Sequence, residues 1–279
     1  MLYRITCPRR YRRLFACLAL LMGIGGASIA GCAQGGPPLL TDDPGTPGNG
    51  NWEINLGYTL DRTVDTHTYT VPVLDMNYGL GPRIQLNYQV PYLLVSDQGQ
   101  PLQSGLGNSQ VAVKWRFLQG QNWNLSTYPR LEFNNPTASV DRGLAEQGPA
   151  FLLPLEITKK VGPVDVNFEA GYWFSRHATD QDIVGLAFGH QATKKLEVLG
   201  ELYHFANIHG GDRDDTFDGG GRYEFHHGLL FLFMAGRSFS GPSSGQSQFI
   251  GYFGLQIQIE RHPPEEPLPP ATPIPNPIH

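Results

Sequence analysis

Trp52-Glu53-Ile54-Asn55-Leu56-Gly57-Tyr58-Thr59-Leu60 places an apolar residue at every second position, with a polar or small one between. A strand sends successive side chains to opposite faces, so this segment has one face for an apolar surrounding and one for water. The same period of two recurs along the chain. It predicts about twelve strands, over 51–61, 69–78, 83–93, 110–117, 123–133, 150–158, 164–174, 183–191, 196–205, 217–225, 229–238 and 249–259. A soluble β-sandwich carries the same alternation. Discrimination therefore comes from the gaps, the composition and the start of the chain.

The gaps alternate. Short turns fall at 79–82, 118–122, 160–162, 192–195 and 226–228, and longer polar connections at 96–108, 134–148, 175–182, 207–216 and 239–248. Short turns on one rim and long loops on the other mark a transmembrane up-and-down barrel, and an even strand count returns both termini to the short-turn side. Parity assigns the faces. Val111, Val113, Trp115 and Phe117 point to lipid, which leaves Gln110, Ala112, Lys114 and Arg116 for the lumen. Val164, Val166, Phe168, Ala170 and Tyr172 point out, and Asp165, Asn167 and Glu169 point in. A one-residue slip would push Lys114 or Arg116 into lipid, at about 2–4 kcal/mol each near the midplane. Trp52, Tyr58, Tyr78, Trp115, Phe117, Trp123, Phe133 and Phe174 cluster near strand ends, where aromatic girdles sit.

Charged residues make up only 16% of the chain, below the usual quarter, and no segment after the first thirty reaches membrane-helix length. Without a helical span, a membrane chain of this kind must close its sheet. The net charge of -5 argues against a nucleic-acid partner.

Residues 1–31 read as a secretory signal: Arg4, Arg9, Arg10, Arg12 and Arg13, then an apolar run to Ala30. Ile29-Ala30-Gly31-Cys32 is similar to a lipobox, which makes Cys32 the candidate for lipidation; ordinary cleavage after Ala30 or Ala33 is the rival reading. Cys7 and Cys17 lie inside the signal, so the mature chain has no disulfide and no thiolate metal site. A Pro/Gly-rich segment, 32–50, leads into a single barrel domain, 51–259. The tail, 260–279, carries eight prolines, cannot pair in a sheet and reads as an extended periplasmic segment.

The lumen candidates for selectivity are Arg83, Lys114, Arg116, Arg130, Glu132, Asp165, Glu169, Glu201, Arg222, Glu224 and Arg237; Glu53, Asp75 and Glu156 share their face. These charges either pair and prop a narrow barrel or form rings that set ion preference. The acidic run at 211–215 reads as a solvated outer loop rather than a calcium site, since its spacing is not that of a binding loop. The histidines at 190, 204, 209, 226 and 227 are scattered over rims and loops. No Ser–His set falls on one face at one depth, so no catalytic residue, metal site or cofactor is expected.

Pro37-Pro38-Leu39-Leu40-Thr41-Asp42-Asp43-Pro44-Gly45-Thr46-Pro47, leading into Trp52-Glu53-Ile54-Asn55, resembles the opening of the barrel family named for meta-pathway phenol degradation. Gly79-Leu80, and Gly105-Leu106-Gly107-Asn108 leading into Val113-Lys114-Trp115-Arg116-Phe117, extend the resemblance. It implies a Gram-negative outer-membrane channel or facilitator for small solutes, associated with aromatic catabolism, and no catalytic residues. The alternative is a structural barrel with a plugged lumen and a partner-binding Pro-rich tail. Expected partners are outer-membrane lipid, lipopolysaccharide, a small-molecule solute and, during biogenesis, the barrel-assembly machinery. Sequence alone leaves open whether the segment before Trp52 fills the lumen or lies below it.

Overall fold

The alternation makes each strand a two-faced ribbon, and closing the ribbon leaves no unpaired edge. The computed structural model describes residues 35–211, 213–240 and 246–261. The signal segment, Cys32 and all but the first two residues of the Pro-rich tail lie outside the described residues. The strands are β1 (Trp52–Arg62), β2 (Thr66–Leu80), β3 (Ile84–Asp97), β4 (Gln103–Leu106), β5 (Ser109–Gln119), β6 (Trp123–Thr127), β7 (Arg130–Phe133), β8 (Ala150–Val161), β9 (Val164–Ser175), β10 (Gln181–Gln191), β11 (Leu196–Asn207), β12 (Arg213–His226), β13 (Leu229–Ser238) and β14 (Phe249–Ile259). Neighbours pair antiparallel, and β1 closes on β14 from Trp52↔Ile259 to Arg62↔Phe249. The result is a closed antiparallel barrel of twelve staves.

Fourteen strands give twelve staves for two local reasons. The expected strand 123–133 is split, and β6 and β7 lie end to end between β5 and β8. The break is Tyr128-Pro129: proline has no N–H for the ladder, so the stave interrupts there. Second, β4 falls inside the connection expected at 96–108. It pairs with Tyr92–Val95 and extends that hairpin above the barrel wall. The β1–β2 connection is shorter than sequence suggested, Thr63 to Asp65, because β2 begins at Thr66 rather than Tyr69. The acidic run also shifts: Arg213, Asp214 and Asp215 belong to β12, not to a loop.

The barrel is turned inside out relative to a soluble protein. Glu156, Glu169, Glu201, Asp218 and Asn55 are fully buried, while Trp115, Leu153, Phe217 and Phe253 are 49–58% exposed. Such a continuous apolar exterior has no place on a soluble monomer. Girdle aromatics stack on that exterior: Trp52 on Tyr78 (4.9 Å), Tyr58 on Phe253 (4.4 Å) and Phe151 on Phe174 (6.3 Å between centroids).

Candidate functional site: a filled lumen

Inward parity places two like-charged pairs directly across strands: Glu156 opposite Glu169, and Glu201 opposite Asp218. Facing carboxylates are unfavourable, and more so when buried. The wall therefore needs donors, and the segment before β1 supplies them. Residues 35–50 fold up into the lumen as a plug. Leu40 and Thr41 donate backbone N–H groups to Glu201 (3.0 and 2.5 Å), and Asp42 donates its own to Glu169 (2.9 Å). Leu39 packs on Ala187 and Leu199 of the same wall.

The neighbouring staves that carry β5 and β7 are basic and grip what the plug offers in return. Lys114 reaches the Asp42 carboxylate at 2.6 Å and the Asp43 carbonyl at 2.5 Å. Arg130 spans Asp42 and Glu169, 3.3 Å from each. Both cations lie over the buried ring of Tyr128, at 4.6 and 4.7 Å from its centroid. Lower down, Arg222 donates to the carbonyls of Gly35, Gly36 and Pro37 and pairs with Glu197 at 3.0 Å. The plug thus hands amides to the acidic wall, and a carboxylate and carbonyls to the basic groups.

Asp75 has a different solution. Three amides serve it: Asn55 (2.9 Å), Asn77 (3.2 Å) and Asn87 (2.5 Å), and Gln85 donates to Asn77 in turn. This network braces β1, β2 and β3 without a cation. Asp218 faces Glu201, and neither of its carboxylate oxygens meets an N–H donor among the described residues.

Of the eleven residues expected in the lumen, Lys114, Arg130, Glu169, Glu201 and Arg222 converge on the plug. Asp165 is inward and buried. Glu132 is inward and accepts from Asn108 (2.8 Å) near the loop rim. Arg116 reaches the Pro82 carbonyl at the turn rim. Arg83 is exposed in that same turn, and Glu224 sits near His227 (3.8 Å) at the rim, so neither reaches the plug. Arg237 is a correction. It shares its face with exposed Phe233 and pairs with exposed Phe217, whereas Leu232 and Met234 point in. Arg237 is therefore outside the lumen. Tyr128, the plug backbone and the amides around Asp75 carry no formal charge and so stood outside the selectivity candidates.

His204 and Asp215 also meet, at 2.5 Å, but on the outward face. Ser240 Oγ donates to Asp215 (2.8 Å), not to the imidazole, so the trio lacks the geometry of an activated nucleophile.

Two voids flank the plug. Toward the loop rim lies a vestibule of about 690 Å³, and below it a gap of about 50 Å³ beside Lys114, Asp43 and Glu53. The vestibule has two unlike sides. Val73, Met234, Ile250, Tyr252, Leu39 and Leu40 make one; Asn87, Gln89, Gln110 and Arg130 make the other, and the carboxylates of Asp61, Asp75 and Asp214 also line the vestibule. Val73, Met234 and Tyr252 form an apolar cluster with Leu232 on the inner wall, separate from the Leu39–Ala187–Leu199 cluster.

Gly185 fixes the fit between wall and plug. A Cβ there would stand 2.1 Å from Thr41 Oγ1. Gly185→Val should therefore expel Thr41 and open the barrel, and Thr41→Gly in the same chain should restore closure. Planar-bilayer recording of both variants checks this; an unchanged closed level in Gly185→Val would show that the contact does not hold the plug. Gly79 has the same role at the exit, where a Cβ would meet the Gly48 carbonyl.

A closed twelve-stave barrel with an apolar belt and a filled polar lumen is the fold of outer-membrane β-barrels. The chain is similar in fold to an outer-membrane channel of the COG4313 group from Pseudomonas putida F1, with a TM-score of 0.63 at 15% identity over 81% of this chain and 100% of that one. The KdgM porin follows with a TM-score of 0.53 at 11% identity, over 75% and 99%. The NanC porin gives 0.50 at 6%, over 75% and 99%. No family model and no curated protein sequence matches the chain.

Proposed function

We propose that the protein is a passive channel of the Gram-negative outer membrane for small solutes with an apolar, aromatic-sized body and one polar end. The observation that carries this reading is the two-sided vestibule. Its volume of about 690 Å³ falls in the range of small-molecule sites. The side built from Val73, Met234 and Tyr252 suits a ring, and Asn87, Gln89 and Gln110 suit a polar group. The resemblance of residues 37–47 to the phenol-degradation family agrees with it. Movement of the plug then connects the vestibule to the opposite mouth.

Proteoliposomes test the substrate class. Entry of 4-hydroxybenzoate should exceed that of gluconate, of similar size, by several-fold, because burial of apolar area contributes roughly 25 cal/mol per Å². Val73→Thr combined with Met234→Gln should erase the difference. Equal rates in the unmodified protein would refute an aromatic preference while leaving a general channel standing.

A second reading is a permanently closed structural barrel, and the bonds that hold the plug on every side favour it. Proteoliposomes impermeable to both solutes, from a barrel with heat-shifted gel mobility, would select that reading.

A further inference from the structure

One row of side chains on the exterior has no part in the channel. At the loop rim, register sets Phe217 beside Arg237, and Arg62 between Phe249 and His67. Gly236 pairs with Ile250, which brings the next residues, Arg237 and Phe249, side by side. Phe217, Arg237, Phe249, Arg62 and His67 therefore form one line across β12, β13, β14, β1 and β2. The line faces out. Phe217 and Phe249 are 58% and 42% exposed, whereas Thr216 and Ser238, one residue away, are buried. Strand spacing sets the backbone positions of the two arginines roughly 10 Å apart, with Phe249 between them.

Neither arginine is paired with a carboxylate among the described residues. The nearby Asp215 is already engaged by His204, Arg213 and Ser240. Toward the barrel middle the same faces carry Phe233, Phe253, Leu255 and Leu56, all exposed and apolar. The line thus sits where the apolar belt ends, with cations and rings alternating. A ligand that fits must bring anionic groups at the level of a membrane surface and acyl chains below them. Guanidinium suits phosphate by its planar fork, and the rings suit the upper methylenes.

We propose that Arg62, Arg237 and His67, with Phe217 and Phe249, bind the phosphate groups and upper acyl chains of lipid A in the outer leaflet. This rests on the reading that the barrel sits in the outer membrane with its long loops outward. Native mass spectrometry of the full chain in detergent, titrated with bis-phosphorylated lipid A, tests it. The protein should retain this lipid about tenfold better than fully dephosphorylated lipid A, since charge-assisted bonds to phosphate are lost in the latter. Arg62→Gln with Arg237→Gln should abolish the difference and leave channel conductance unchanged. Lys194→Gln with Lys195→Gln, in the turn at the opposite rim, should keep it. Equal retention of the two lipids, or full retention by the Arg62/Arg237 variant, would overturn the assignment. The comparison of two lipids on unmodified protein holds even if the variant fails to fold. Cell fractionation separately reports whether the barrel reaches the outer membrane.

Discussion

Deleting residues 36–47 should raise single-channel conductance on the order of tenfold, because the narrowest cross-section limits ion flow and the plug defines it. At present the void below the plug is about 50 Å³, against about 690 Å³ above. The deletion leaves Gly48 to Asn51 to tether β1, so closure with β14 is unaffected. It also strips Glu201 and Glu169 of their backbone donors and Arg222 of its three carbonyl acceptors. Water refills those positions, so the barrel should remain closed, with a lower unfolding midpoint. The exposed acids on β8, β9, β11 and β12 should make the open pore cation-preferring, visible as a shift in reversal potential in a salt gradient. Unchanged conductance from a folded deletion variant would mean that another element blocks the path.

The second large effect is expected at Lys114. It is almost wholly buried, and its ammonium is shared between the Asp42 carboxylate and the Asp43 carbonyl, over the Tyr128 ring. Lys114→Met keeps the volume and removes the charge. Breaking one side of a buried ion pair costs about 3–5 kcal/mol, chiefly because the partner charge is left uncompensated. The loss should appear as a lower denaturant midpoint in detergent and as frequent opening events in bilayers. Asp42→Asn in the same chain should recover part of the loss, since coupled groups are non-additive. Strictly additive losses would show that Lys114 and Asp42 do not act as a pair.

The fold was legible in the sequence because lipid and water on opposite faces force a period of two, and the alternation of short and long gaps sorts the loops onto two rims. Twelve segments expected from alternation correspond to the twelve staves. What alternation could not show was any place where the backbone leaves the ladder. Pro129 splits one stave, and the chain beyond Asp97 turns back to form β4, since neither event changes which residues are apolar. Arg237 was misplaced for a related reason. Near a strand end the apolar pattern thins, and Phe239 and Phe217 give parity no anchor that separates lumen from rim.

The site was half legible. Formal charges located the acidic and basic walls but left more inward acids than cations, an imbalance that grows once Arg237 is outside and Arg83 is in a turn. That surplus was the available signal that donors must come from elsewhere. Backbone amides carry no letter in a sequence, so their source, the run from Pro37 to Asp43, showed itself only as a stretch resembling a family opening. Nearly every residue in that run touches the wall, as at Thr41 against Gly185.

The plug is built into the chain next to the seam of the barrel. It lies upstream of β1 on a tether of a few residues, and the seam that completes the cylinder joins β1 to β14, the first strand to the last. In a chain made from its N-terminus, the stopper exists before any stave. A cylinder sealed empty would have to admit a polar hairpin afterwards, past facing carboxylates already stripped of partners. Staves gathered around the hairpin meet their donors as they arrive. The segment that closes the passage is thus placed to be enclosed as the walls meet, although the walls do not need it in order to close.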